Sequence, residues 1–187
     1  MKPTVLLVHG AWHNGAGFAY LQEELKKLGI SSKTVELSSV ANPGEPIGDM
    51  YKDAEIVRNA IQDISGDCVV LGHSYGGLSI TEGVVGLDNV KGLIYLTAFM
   101  LDEGETLYAA CGNQDPEWWV RNSDNSRLTT KNPQSVFYNT CAKEIADATA
   151  ATLREQSLIS FNQPITKVGW KEINSTYIIC EQDQAIP

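Results

Sequence analysis

Asp67-Cys68-Val69-Val70-Leu71-Gly72-His73-Ser74-Tyr75-Gly76-Gly77 decides the reading of this chain. The apolar, partly β-branched run from Cys68 to Leu71 has the character of a strand buried on both faces. It ends in Gly-x-Ser-x-Gly, and beyond it Leu78, Ile80, Thr81, Val84 and Val85 carry apolar groups at helix-compatible spacings. A strand, a sharp turn and a helix in that order nominate Ser74 as a covalent nucleophile. A serine hydroxyl is a poor nucleophile unless a base reaches it and nearby amides stabilise the oxyanion it creates. Glycines at 72 and 76 suit so tight a turn, where side chains two positions either side of Ser74 would collide.

Outward from this stretch, Thr4 to Val8 reads as a first strand ending at His9-Gly10. Residues 18–28 are apolar at 18, 21, 25 and 28 and predict an amphipathic helix stopped by Gly29. A short strand over 33–37, a Ser/Pro/Gly-rich loop over 38–48 and a helix over 50–64 precede the Cys68 strand. Residues 91–99 and 175–180 complete the strands. Alternating strands and helices predict an α/β fold, mainly parallel, with ligands bound beyond the carboxyl ends of the strands. Residues 1–100 and 170–187 form the expected core of a single domain. Residues 101–169 differ in composition, carry a helical stretch over 142–156, and read as an inserted cap.

The 187 residues, 43% hydrophobic and 20% charged, fit one globular domain. A formal charge of -9 argues against nucleic-acid binding, which needs clustered Lys and Arg, and disfavours anionic membranes. No charged-then-apolar leader and no bilayer-length apolar span are visible, so a cytoplasmic location is expected. Cysteines 68, 111, 141 and 180 show no C-x-x-C spacing, and two fall in strands predicted to be buried. Reduced thiols are expected, no metal site is, and a Cys111–Cys141 bridge is left open.

His9-Gly10-Ala11-Trp12 closes the first strand and supplies what Ser74 needs next. Negative charge on an attacked carbonyl oxygen calls for two backbone donors, and the Ala11 and Tyr75 N–H groups are the candidates. Three motifs then carry a resemblance: Val8-His9-Gly10-Ala11-Trp12-His13, Leu71 to Gly77, and Tyr177-Ile178-Ile179-Cys180-Glu181-Gln182-Asp183-Gln184-Ala185-Ile186-Pro187. Together they resemble the α/β-hydrolase superfamily, in particular its small esterase-like branch of plant methylesterases, hydroxynitrile lyases and related bacterial and fungal esterases. The resemblance implies a cofactor-free serine mechanism and places the catalytic acid after the last strand, at Asp183. Asp102, just past the fourth strand, is the second choice.

In that fold the triad runs Ser, acid, His along the chain. The three histidines, at 9, 13 and 73, all precede Asp183. The chain is therefore expected to end before the catalytic histidine, with the C-terminal strand and helix missing, and to turn over little as it stands. A fragment of a longer protein, a degenerate homologue and a second chain supplying the rest are the competing explanations. His73 and His9 are expected to be structural, and His13 is the histidine that could overhang Ser74. The strand over 175–180 would leave an apolar sheet edge through which a homo-oligomer could form.

Cap aromatics Tyr108, Trp118, Trp119, Phe137 and Tyr138, with Trp12 and His13 from the first loop, offer an apolar lining for a substrate pocket. An acidic protein with such a lining suits a small or medium uncharged ester. The leading expectation is ester hydrolysis through a Ser74 acyl-enzyme. The rivals are a non-catalytic ligand-binding protein and a hydroxynitrile lyase on the same scaffold, which the strand and elbow motifs do not separate.

Overall fold

The computed structural model describes residues 2–185. Ile186 and Pro187, which close the third motif, lie outside the described residues.

Among the described residues, nine strands form two sheets. The first sheet contains β1 (Thr4–Val8), β2 (Ser32–Thr34), β4 (Cys68–His73), β5 (Val90–Leu96) and β9 (Ser175–Ile178), in the order β2-β1-β4-β5-β9 with every pairing parallel. The helices α1 (Ala19–Lys27), α2 (Met50–Gln62) and α3 (Gly76–Gly83) connect its strands. Parallel strands with connecting helices are what the resemblance drawn from the sequence implies. Leu6, Val8 and Val70 from the central strands meet Met50, Val57 and Ile61 of α2 and Leu78 and Ile80 of α3 in the main core. β1 and β4 run side by side from Thr4–Cys68 to Val8–Gly72, so their carboxyl ends finish together. That register places the His9-Gly10-Ala11 loop beside Ser74.

The second sheet is antiparallel and is not foreseen in the sequence. Its order is β3 (Val40–Ala41), β8 (Glu155–Ser157), β7 (Arg127–Thr130) and β6 (Trp119–Arg121). The helices α4 (Leu107–Ala110), α5 (Pro133–Phe137), α6 (Lys143–Ala150) and α7 (Ile159–Asn162) accompany it. The helix expected over 142–156 therefore stops at Ala150, and residues 155–157 become a strand. Long-range pairing outweighs local spacing here: Gln156 is fully buried between Val40 and Leu128. The loop over 38–48 lends two residues to this sheet.

Other boundaries shift for identifiable reasons. The strand expected over 33–37 ends at Thr34, and the Leu37 N–H donates to His9 Nε2 instead of a ladder. The last strand ends at Ile178, so Cys180 is exposed rather than buried, while Cys68 is buried as expected. All four cysteines, Cys111 and Cys141 included, are free thiols. β9 pairs with β5 and forms an edge among the described residues, with Tyr177, Ile178 and Ile179 exposed. No helix among them is long and apolar enough to cross a membrane.

Candidate active site

Ser74 leaves β4 with φ at +52°, a left-handed conformation that a non-glycine residue adopts at a cost of about 1–3 kcal/mol. Its surroundings hold it there. Ser74 N–H donates to Leu96 O at 3.3 Å, and Ser74 O accepts from Gly77 N–H at 3.0 Å and Phe99 N–H at 3.1 Å. The flanking glycines are dictated by space: a Cβ on Gly72 would lie 2.8 Å from Gly76 O, and one on Gly76 would lie 2.6 Å from Val8 O. A Cβ on Gly10 would approach Ser74 Cβ to 2.9 Å, so the loop after β1 touches the elbow directly.

Ala11 and Tyr75 flank this contact and are buried. Among the described residues neither backbone N–H has an acceptor, an uncommon condition for buried amides. The next residue, Trp12, has φ at +64° and is held from the second sheet at three points. Its N–H donates to Gln156 Oε1 at 3.4 Å, its indole Nε1–H to Leu128 O at 3.0 Å, and its carbonyl accepts from Arg154 N–H at 2.9 Å. Neither Gln156 nor this clamp is legible in the sequence, since the partners lie more than a hundred residues away.

Asp183 follows β9. Its Oδ2 accepts from Thr97 Oγ1 at 2.5 Å and its Oδ1 from Ala185 N–H at 2.8 Å. Thr97, also at positive φ, is a site residue that sequence reasoning missed. Asp102 does not join this group. It pairs with Lys171 Nζ at 2.5 Å and does not line the cavity described below.

The three histidines gather near the elbow, and His9 and His13 are engaged otherwise. His9 Nδ1 lies 2.9 Å from Gly10 O, so it carries the proton, while Nε2 accepts from Leu37 N–H at 3.1 Å. Burial pushes His9 down to about 4. His13 Nδ1 donates to Ala11 O at 2.7 Å, which leaves Nε2 to accept from Tyr138 O–H at 2.9 Å. Burial lowers its basicity too. The His73 ring stands 6.0 Å from that of His13, and His73 is among the residues lining the cavity described below. Burial above all, then the neighbouring His13, pushes it down to about 3. All three are neutral at pH 7.

Ser74, Ala11, Tyr75, Asp183, Trp12, His13, Trp118 and Phe137 line one cavity of about 910 Å³. Trp12 meets Trp118 edge-on at 5.2 Å, and Trp118 meets Phe137 edge-on at 5.2 Å. No lysine or arginine lines this space, whereas Asp183 and Glu181 do. Among the described residues no cluster of three or more His, Cys, Asp or Glu side chains is placed to hold a metal ion.

A model of the sequence family described as alpha/beta hydrolase family matches residues 5–187. Among curated relatives, the alpha/beta hydrolase nvfD of Aspergillus novofumigatus is 32% identical, over 100% of this chain and 80% of its own length. A carbendazim hydrolyzing esterase of Nocardioides is 32% identical over 56% of this chain and 45% of its own length. Among solved structures, a methylesterase from Arabidopsis superposes with a TM-score of 0.79 at 20% identity, covering 100% of this chain and 81% of that one. At such identity the last similarity speaks for the fold.

Proposed function

This chain belongs to the alpha/beta hydrolase family, and on that premise we propose that it is a serine esterase acting through a Ser74 acyl-enzyme. One observation carries the reading: a serine held at φ +52° beside two buried, unpaired backbone N–H groups in a single aromatic cavity. Ser74 Oγ attacks the ester carbonyl, and its proton passes to a histidine. The carbonyl oxygen, now negative, is received by the Ala11 and Tyr75 N–H groups, each worth on the order of 3 kcal/mol of barrier. Collapse expels the alcohol, which takes the proton from the histidine, and water attacking by the same route releases the acid. Asp183 orients that histidine and stabilises its charged form.

The histidine itself is not His9 or His13, whose ring nitrogens are both committed to other partners. His73 immediately precedes the nucleophile, and burial lowers its basicity as well. In this reading none of the three histidines is the base, and residues 1–187 expressed alone are expected to turn over esters several powers of ten more slowly than a protein in which a base reaches Ser74. A cavity of about 910 Å³, with no lysine or arginine among its described lining residues, supports an uncharged ester with an aromatic or otherwise bulky apolar portion. The relative named as a carbendazim hydrolyzing esterase supports the reaction class.

The test is hydrolysis of a chromogenic ester series by the full natural protein and by Ser74→Ala. Loss of turnover with retained fold is expected. Hydrolysis by Ser74→Ala at the parent's rate overturns the proposal, and a parent that binds such esters without cleaving them points to ligand binding instead.

A further inference from the structure

Asp53 is fully buried on α2, on the face shared with Met50, Ala54, Val57 and Ile61. Among the described residues no lysine, arginine or histidine pairs with it, and burial is the largest influence on its carboxyl group, raising it above the ordinary range. A lone carboxylate in an apolar core is unfavourable, and an apolar side chain of the same volume would pack there at lower cost. Three donors make the site tenable: Ser38 Oγ at 2.8 Å and Ser39 N–H at 3.0 Å on Oδ1, and Tyr75 O–H at 2.8 Å on Oδ2. Two of these come from the loop before α2. The third comes from the residue immediately after the nucleophile.

Tyr75 thus spans two environments. Its phenol ends in the core at Asp53, its ring lies 5.6 Å from that of Phe161, and the residue also lines the cavity that holds Ser74. The Tyr75 backbone N–H shares a peptide plane with Ser74 C=O. Gly77 and Phe99 N–H groups grip the carbonyl edge of the plane. The opposite edge has no hydrogen bond of its own among the described residues, so beyond the grip on the carbonyl the further hold on this plane is the anchored Tyr75 side chain.

We propose that Asp53 is a positioning residue which, by accepting the Tyr75 phenol, holds the strained Ser74–Tyr75 peptide so that Tyr75 N–H faces the developing oxyanion. The inference rests on the Ser74 nucleophile of the preceding section and deepens it. Asp53 touches no reacting atom, and its effect falls on the chemical step rather than on ligand affinity.

The test is the kinetics of Ser74 modification by a fluorophosphonate probe, whose phosphoryl oxygen occupies the same donors, in the full natural protein. Tyr75→Phe leaves Asp53 with two donors and removes only the anchor; Asp53→Asn retains one acceptor oxygen; Ser38→Ala removes a different donor from the same carboxylate. Tyr75→Phe is expected to lower the maximal labelling rate about tenfold, a tenth of the hundredfold or more expected on deleting an oxyanion donor. Its half-saturating probe concentration should stay within twofold. Asp53→Asn should fall between Tyr75→Phe and the parent, and Ser38→Ala should match the parent. Labelling of Tyr75→Phe at the parent's rate overturns the proposal, as does an equal fall in Ser38→Ala or a loss confined to probe affinity. A parent that labels no faster than Ser74→Ala overturns the nucleophile reading itself, and shows this before any Asp53 variant is made.

Discussion

Thr97 Oγ1 and Asp183 Oδ2 lie 2.5 Å apart, joining the end of β5 to the turn after β9. With Ala185 N–H on Oδ1, both carboxylate oxygens accept a hydrogen bond. A carboxylate fixed in this way can orient an imidazole without taking its proton. In the full natural protein Asp183→Asn is expected to lower kcat by about 10⁴, as loss of the orienting acid does in serine triads generally. Thr97→Val, which removes one donor and leaves the acid, should cost about fivefold, since one ordinary hydrogen bond is worth about 1 kcal/mol. Turnover of a chromogenic ester, with far-UV circular dichroism as the fold control, measures both. Asp183→Asn hydrolysing at the parent's rate would remove the acid from the scheme.

Gly10 sets how closely the loop after β1 can approach the elbow. A methyl group there would meet Ser74 Cβ at 2.9 Å and His73 Nδ1 at 3.1 Å, and neither atom is the free end of a flexible chain. Gly10→Ala should therefore destabilise the fold by about 1–3 kcal/mol and slow fluorophosphonate labelling of Ser74 at least tenfold. Gly17→Ala, where a Cβ meets nothing within 4 Å, should change stability by less than about 0.5 kcal/mol. Urea denaturation of the two variants makes the comparison, and equal stability losses would contradict the steric account.

What the chain discloses locally and what it does not divide along contact distance. The elbow is legible because strand, Gly-x-Ser-x-Gly and helix are contiguous, and Ala11 because it follows a strand end that the fold must bring beside it. β8 is illegible because residues 155–157 continue a pattern compatible with α6, and only pairing with Val40–Ala41 and with Arg127–Leu128 makes them a strand. Thr97 and Asp53 are illegible for the same reason. Each looks like an ordinary polar residue until Asp183 or Tyr75 is placed against it.

The buried histidines make stability depend on pH. His9 titrates at about 4 in the folded protein against an ordinary value of 6.5, so below 6.5 the unfolded chain binds the proton more readily. Its contribution is present in full above pH 6.5 and is lost as pH falls toward 4. Between pH 7 and pH 5 this costs about 2 kcal/mol, and His73, pushed lower still, adds in the same direction. Urea unfolding at the two pH values should show the loss in the parent, and His9→Gln should reduce it by about 2 kcal/mol. A parent equally stable at pH 5 and pH 7 would contradict neutral burial of these rings.

Trp118 and Trp119 are adjacent in sequence and both line the cavity, yet their burial differs. Trp119 is 8% exposed, packs on Phe161 at 5.0 Å and belongs to the core, whereas Trp118 is half-buried between Trp12 and Phe137. Removing a core tryptophan leaves a void, so Trp119→Ala should cost about 3–5 kcal/mol of stability. Trp118→Ala should spare the fold and instead remove a face on which a bulky aromatic ester can rest. A lost aromatic contact of about 1.4 kcal/mol corresponds to a tenfold fall in kcat/KM. That fall is expected for esters with a bulky aromatic portion and not for simple alkyl acetates, which carry no ring to rest on the tryptophan. Thermal unfolding and kcat/KM across an ester series would separate the two tryptophans, and a Trp118→Ala protein with unchanged aryl preference would place the substrate's apolar portion elsewhere in the cavity.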